Sequence, residues 1–162
     1  MAKKSVVQEL GTLGALLRAP LDVLIAYVYG RLAEEGFGDI RAAHGAVIRH
    51  MPKDGCRITE LADKARMTKQ SMAELVEALR DRGYVTIAAD RNDRRAKTVK
   101  FTKRGWQAQA ALVRFSHSFE EECARALGEA AWLELRRGLE RLAAWAERYA
   151  EDQTAAEAES KA

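Results

Sequence analysis

A set of residues near the middle of the chain has the types and spacing needed to recognise a hydrogen-bonding, negatively charged surface. Thr68, Lys69, Gln70, Ser71 and Ala73 open an amphipathic segment, where backbone N–H groups of a helix would also be free. Gln carries an adjacent donor and acceptor that match the major-groove edge of adenine. Lys suits guanine or a phosphate, and Ala permits close approach and fits a thymine methyl. Farther on lies Asp90-Arg-Asn-Asp-Arg-Arg95, with Arg91, Arg94 and Arg95. Arginine is less strongly hydrated than lysine, which suits it to a narrow, electronegative minor groove. Asp93, two residues before Arg95, is placed to hold its guanidinium in one direction. A capped surface helix and a charged hairpin tip contain the same residue types, so the surrounding elements must decide.

Charge fits the first reading and fits equally an unevenly charged solvated surface. The 162 residues carry a formal net charge of +3. That value hides a basic centre: residues 57–106 hold 13 basic and 7 acidic groups, whereas residues 107–162 hold 7 and 11. A basic segment between a neutral and an acidic one is the expected footprint of a polyanion on the centre alone. The chain is 48% hydrophobic and 31% charged, which excludes a disordered or collagen-like polymer. Cys56 and Cys123 form no CxxC pair, so a disulfide-stapled scaffold is excluded and a reducing cytoplasm is the simpler setting. No uninterrupted apolar run approaches the roughly 20 residues of a membrane helix, and the start does not read as a signal peptide.

The elements that position these residues follow from hydrophobic spacing. Leu10, Leu13, Leu17, Leu21, Leu24, Val28 and Leu32 recur at helical intervals and predict a helix over 6–35, interrupted or kinked at Pro20. Asp39 is the expected N-cap of a helix over 40–51, followed by a turn at Pro52-Lys-Asp-Gly55. Two short helices follow, over 58–65 and 69–82, with Thr68 as N-cap and Gly83 at the C′ position of the second. Met72, Leu75, Val76 and Leu79 give the second an inward face, opposite Lys69, Gln70, Ala73, Glu77 and Arg80. Residues 84–89 and 97–101 read as a two-stranded antiparallel hairpin with the arginine run at its tip. Thr102 caps a helix over 103–127, and Gly128 separates it from another over 129–149. There Trp132, Leu135, Leu139, Leu142, Ala146 and Tyr149 form a heptad-like seam. Residues 151–162 lack bulky apolar side chains and are expected to be disordered.

The run Ile58-Thr-Glu-Leu-Ala-Asp-Lys-Ala-Arg-Met-Thr-Lys-Gln-Ser-Met-Ala-Glu-Leu-Val-Glu-Ala-Leu-Arg-Asp-Arg-Gly-Tyr-Val85 resembles the helix-turn-helix of the multiple antibiotic resistance regulator (MarR) family. The following Asp90-Arg-Asn-Asp-Arg-Arg-Ala-Lys-Thr-Val-Lys-Phe-Thr-Lys-Arg-Gly105 resembles that family's wing. The resemblance implies a mainly α fold with a small β-hairpin wing, a winged helix-turn-helix carried between long N- and C-terminal dimerisation helices. It divides the chain into a dimerisation helix (1–35), a DNA-binding unit (36–105), further dimerisation helices (106–150) and a tail (151–162). It also implies a homodimeric, cytoplasmic transcriptional regulator, usually a repressor, that binds a pseudo-palindromic duplex and responds to a small effector or to oxidation. By matching position Arg95 is the minor-groove arginine, Asp93 its orienting carboxylate, and Lys69, Gln70, Ser71 and Ala73 the exposed start of the recognition helix. Arg66 departs from the pattern by standing where many members have glycine, and Arg91 replaces a common proline.

Other chemistries find less support. His117 and Glu121 are four apart, an ordinary spacing on a solvated helix face, so no metal site is assigned. Cys123 shares a stripe with Leu112, Phe115 and Phe119 and reads as packing. No Gly-rich phosphate loop, HExxH or GxSxG motif occurs, and neither an enzyme nor a cofactor is expected. Tyr27, His44 and Phe115 are the candidates for lining an effector pocket. The competing reading of the same fold is a helical dimer that binds a protein partner or senses a small ligand without touching DNA.

Overall fold

The computed structural model describes residues 11–89 and 97–159. They form two compact units, one ending at Phe119 and the other beginning at Glu120.

The first unit opens with α1, Leu13–Leu32. Residues 6–10 of the expected helix lie outside the described residues; within the described ones local chemistry sets the start of α1. Gly11 takes φ +60° and Thr12 caps the helix, its Oγ1 accepting from Ala15 N–H at 3.3 Å. Pro20 lies inside α1. Val28 and Leu32 are buried with Ala111, against Leu24, Tyr27 and Phe115. Leu13, Leu17 and Leu21, earlier on the same stripe, remain 40–56% exposed. With the turn that follows, Leu13–Phe37 is long and apolar enough, by length and composition, to cross a membrane. Reading for an unbroken apolar run missed this stretch because Arg18 and Asp22 interrupt it. They pair with each other across one turn at 2.9 Å.

After α1 the backbone widens into a turn over Ala33–Phe37, broken where Gly36 adopts φ +85°. A short 3-10 turn, Ala42–His44, leads into α2, Gly45–His50. Asp39 is not the N-cap expected of it. Arg41 occupies that place, and Asp39 instead accepts a hydrogen bond from the Tyr84 hydroxyl. The cap is supplied by His44, whose Nδ1 accepts from Arg41 N–H at 3.0 Å.

The core proper gathers α3 (Ile58–Lys64) and α4 (Lys69–Asp81). Leu61, Met72, Val76 and Leu79 are fully buried, as their spacing predicts, and Leu75 packs against them. Each such side chain contributes about 1.5–3 kcal/mol. Beside them lie β2 (Val85–Ala89) and β3 (Lys97–Phe101), paired from Val85↔Phe101 to Ala89↔Lys97. A third strand, β1 (Cys56–Arg57), joins the far edge of β3 through Cys56↔Val99 and Arg57↔Thr98, so the expected hairpin is part of a three-stranded sheet. Two residues are too few for a strand period to show in sequence. The junction depends on Gly55, at φ +79°, where an added Cβ would lie 2.4 Å from Val99 O.

From β3 the chain enters α5, Lys103–Leu127. In the second unit α6 spans Glu129–Glu159, after Gly128 at φ +84°. The expected disordered tail is corrected for 151–159, which extend the helix. Their Ala and Glu content supplies the propensity that the missing apolar side chains do not. Arg136 joins α6 to the end of α5 through Glu120 at 2.7 Å. Within this unit Leu135, Leu139 and Tyr149 of the heptad seam are exposed, and Trp145 stacks on Tyr149 with centroids 5.1 Å apart.

Candidate nucleic-acid interface

The site is built from the turn between α3 and α4. Arg66 N–H donates to Asp63 O at 3.1 Å and Met67 N–H to Ala62 O at 2.9 Å, with Arg66 at φ +51°. This is a Schellman C-cap with arginine at the left-handed position. The same cap ends α4, where Gly83 N–H reaches Arg80 O, Tyr84 N–H reaches Leu79 O, and glycine takes φ +75°. The departure noted at Arg66 is therefore a backbone fact: an L-residue occupies a conformation that costs about 1–2 kcal/mol without glycine. Arg66→Gly is expected to stabilise the protein by about 0.5–1 kcal/mol, the strain relieved less the extra chain entropy of glycine. A urea titration of both proteins measures it, and an unchanged or lower midpoint contradicts the strain assignment.

Beyond the turn, Thr68 caps α4. Its Oγ1 accepts from Ser71 N–H at 3.1 Å, and its hydroxyl donates to Ser71 Oγ at 2.9 Å. Lys69 and Gln70 are exposed, while Ser71 and Ala73 are half-buried behind them. The structure thus brings Thr68, Lys69, Gln70, Ser71 and Ala73 to one end of one helix. Farther along the same outward side stand Glu74, Glu77 and Asp81. Arg80 is held there by Glu77 and, at 2.8 Å, by Asp81. Only the first turn of α4 presents uncompensated positive charge.

Arg91, Asp93, Arg94 and Arg95 lie in 90–96, outside the described residues. What is described is the root of that segment, Ala89 opposite Lys97. The root is anchored by contacts that the sequence reading did not identify. Thr102 Oγ1 donates to Gly83 O at 2.6 Å and accepts from Gly105 N–H at 3.1 Å, closing the end of α4 onto the start of α5. Arg104 donates to Tyr84 Oη at 2.9 Å and to Gly36 O at 3.2 Å, and lies 3.6 Å from Asp39. Its guanidinium sits over the Tyr84 ring at 4.8 Å. Arg114 reaches Glu35 at 2.5 Å, fixing the same Ala33–Phe37 turn from further along α5.

The effector candidates all lie among the described residues. Tyr27 packs on Phe119 with ring centroids 5.4 Å apart, and Phe115 lies in the same apolar cluster beneath the Arg114 guanidinium. His44 is buried, its Nδ1 held by Arg41 N–H. Cys56 is buried and Cys123 half-buried. Burial raises both thiol pKa values, helped by Glu60 at Cys56 and by Glu120 and Glu122 at Cys123, the opposite of a thiolate poised to react.

Burial, then Arg82 and Arg41, hold the His44 pKa below its ordinary value. A proton on Nδ1 would also abolish the acceptor for Arg41. Because the folded pKa lies below the unfolded one, the unfolded chain binds more protons in that interval. Stability is complete above about pH 6.5 and falls as pH drops toward the lowered value, by at most about 1.4 kcal/mol per pH unit for this group. His50 adds a change of the same sign. Urea midpoints recorded from about pH 7.5 to pH 5 should fall. They should fall less in His44→Asn, which keeps an acceptor but cannot titrate; equal slopes would remove His44 from the account.

Comparison with known proteins agrees with this geometry. Residues 45–96 match the sequence model of the MarR family. No curated protein matches the chain. Among solved structures, the crystal structure of MarR is similar with a TM-score of 0.71 at 22% identity, covering 84% of this chain and 98% of that one. The transcriptional repressor CouR, bound to a 23-mer DNA duplex, gives 0.66 at 18% identity over 88% and 99%. YusO from Bacillus subtilis gives 0.63 at 16% identity over 86% and 98%. At these identities the structures establish a shared fold, the mainly α winged helix expected from the sequence. The match over 45–96 falls on the segment that forms the helix-turn-helix and leads to the wing, so over that segment the chain is similar in sequence to the MarR family.

Proposed function

We propose that the protein is a DNA-binding transcriptional regulator that acts as a homodimer on a pseudo-palindromic operator. The observation that carries this reading is the polarity of α4. Its capped first turn exposes Lys69 and Gln70, and every outward charge beyond that turn is acidic or already paired. Such a helix meets a polyanion end-on, N-terminus first, which is how recognition helices enter a major groove. In this reading Arg91, Arg94 and Arg95 would supply the contact to the flanking minor groove, with Asp93 to orient Arg95. That CouR carries a duplex on the same fold supports the reading.

The open leucines of α1 and, separately, the exposed seam of α6 each offer an apolar face for self-association. The same α1 face is read as a protein contact and not a bilayer contact, because Val28 and Leu32 at its far end pack into the first unit. A regulator that acts on an operator would work where the DNA is, in the cytoplasm. Occupying a promoter would block polymerase and make it a repressor, and Tyr27 and Phe115 mark where an effector would loosen the assembly.

Binding to duplexes selected from a random pool tests the assignment. Several Lys and Arg contacts to phosphate require affinity to fall steeply with salt, which a partner-protein or ligand-only module would not show. Arg95→Ala should weaken the selected duplex by about 1–3 kcal/mol while sedimentation still reports a dimer. An unchanged affinity would remove the wing from the interface.

A further inference from the structure

Among the outward residues of α4, Gln70 is held by a partner of its own. Its Nε2 donates to Glu74 Oε1 at 3.4 Å across one helical turn, and both side chains are exposed. The neighbouring polar groups are differently engaged: Thr68 and Ser71 with each other in the cap, Arg80 with Glu77 and Asp81. A carboxylate one turn behind the docking end is a cost against a polyanion, because it repels phosphate of any sequence. The pair has a second consequence. A planar primary amide has two N–H groups and one carbonyl oxygen. With one N–H drawn to Glu74, the other N–H and Oε1 remain as a donor and an acceptor, the set that adenine N7 and N6–H2 require.

We propose that Glu74 is a positioning residue for base recognition: it fixes the Gln70 amide in the orientation that reads adenine, and so raises sequence preference while lowering affinity for DNA at large. This rests on the DNA-binding reading above. The two effects have opposite signs on non-specific and specific binding, which a residue that only supports the helix would not produce. Glu74 acts through Gln70 and is not itself assigned a base contact.

The experiment compares wild type, Glu74→Ala, Glu74→Gln, Gln70→Ala and the Gln70→Ala/Glu74→Ala double variant. The probes are a duplex selected from a random pool by the wild type, the same duplex with each adenine changed in turn to guanine, and a duplex of unrelated sequence. Fluorescence anisotropy gives the affinities, and circular dichroism confirms that each variant folds. Glu74→Ala should reduce discrimination at one adenine of each half-site by roughly five- to tenfold. It should also strengthen binding to the unrelated duplex by about two- to threefold. Glu74→Gln keeps an acceptor without the charge, so it should retain most of the discrimination and show the same non-specific gain. In the Gln70→Ala background, Glu74→Ala should cost no further discrimination. Unchanged discrimination in Glu74→Ala, or a further loss in the Gln70→Ala background, overturns the proposal while leaving DNA binding in place. A folded wild type that retains no duplex from the pool overturns the DNA-binding reading, and the proposal with it.

Discussion

Gly105→Ala should destabilise the protein by at least about 3 kcal/mol or prevent folding altogether. Gly105 is buried in the first turn of α5. An added Cβ would lie 2.0 Å from Tyr84 O and 2.8 Å from Phe101 Cδ1. The nearer atom belongs to backbone and cannot swing aside. Tyr84 O also accepts from Thr102 N–H at 3.0 Å, so any shift would pull the start of α5 from the end of α4. Helix propensity acts the other way, since alanine is preferred to glycine by about 1 kcal/mol in a helix. That preference is too small to offset the clash. Gly138→Ala in α6 isolates it, because nothing lies within 4 Å of the Cβ position there, and should gain up to about 1 kcal/mol. Opposite signs for the same substitution, read from urea midpoints, are the expected result. A gain at both positions would mean that α5 does not press against Tyr84 as described.

Tyr84 should divide into two contributions of different size. Its side chain is 1% exposed, packed near Phe37 and beneath Arg104, while its hydroxyl joins Asp39 and Arg104. Tyr84→Ala should cost about 3–5 kcal/mol, as large aromatic truncations do in close-packed interiors. Tyr84→Phe keeps the ring and removes only the hydroxyl, at about 1–2 kcal/mol. The lower end is expected because Asp39 and Arg104 are each more than 40% exposed and regain water when the hydroxyl is lost. Burial and Asp39 raise the Tyr84 pKa. This part of the stability is complete below about pH 10 and is lost at higher pH, as the unfolded chain ionises first. Denaturant titrations of the three proteins give the ratio. A Phe variant as damaged as the Ala variant would show the polar contacts to dominate.

What could be read from the sequence was local in origin. The spacing of Met72, Val76 and Leu79 located the buried face of α4, Thr68 its start and Gly83 its end, because helix periodicity and caps depend on residues within a turn of one another. Arg66 was marked by the resemblance, as the residue standing where many members have glycine, and its left-handed backbone came from the structure. Contacts between distant segments were not legible. Asp39 looked like a cap because Asp before an apolar run usually is one. Its actual partners, Tyr84 and Arg104, come from elsewhere in the chain and carry no signal in spacing. The strand Cys56–Arg57 is too short to alternate, and residues 151–159 form helix through propensity without an apolar face. For the candidate site, one end of α4 was legible down to individual residues. The Gln70–Glu74 pair was present as an i, i+4 spacing, but in sequence such a pair is one among many.

The pairing of β1 with β3 has a kinetic meaning as well. Cys56 and Val99 stand opposite each other in the sheet, and both helices of the helix-turn-helix lie on the chain between them. The backbone from 56 to 99 is thus a closed ring whose clasp is a few amides. Such a ring cannot open by halves: α3 and α4 cannot leave without releasing the strand that carries the wing. Native-state hydrogen exchange should accordingly find the amides of Leu61, Val76 and Val99 opening together, as one cooperative unit with a common free energy.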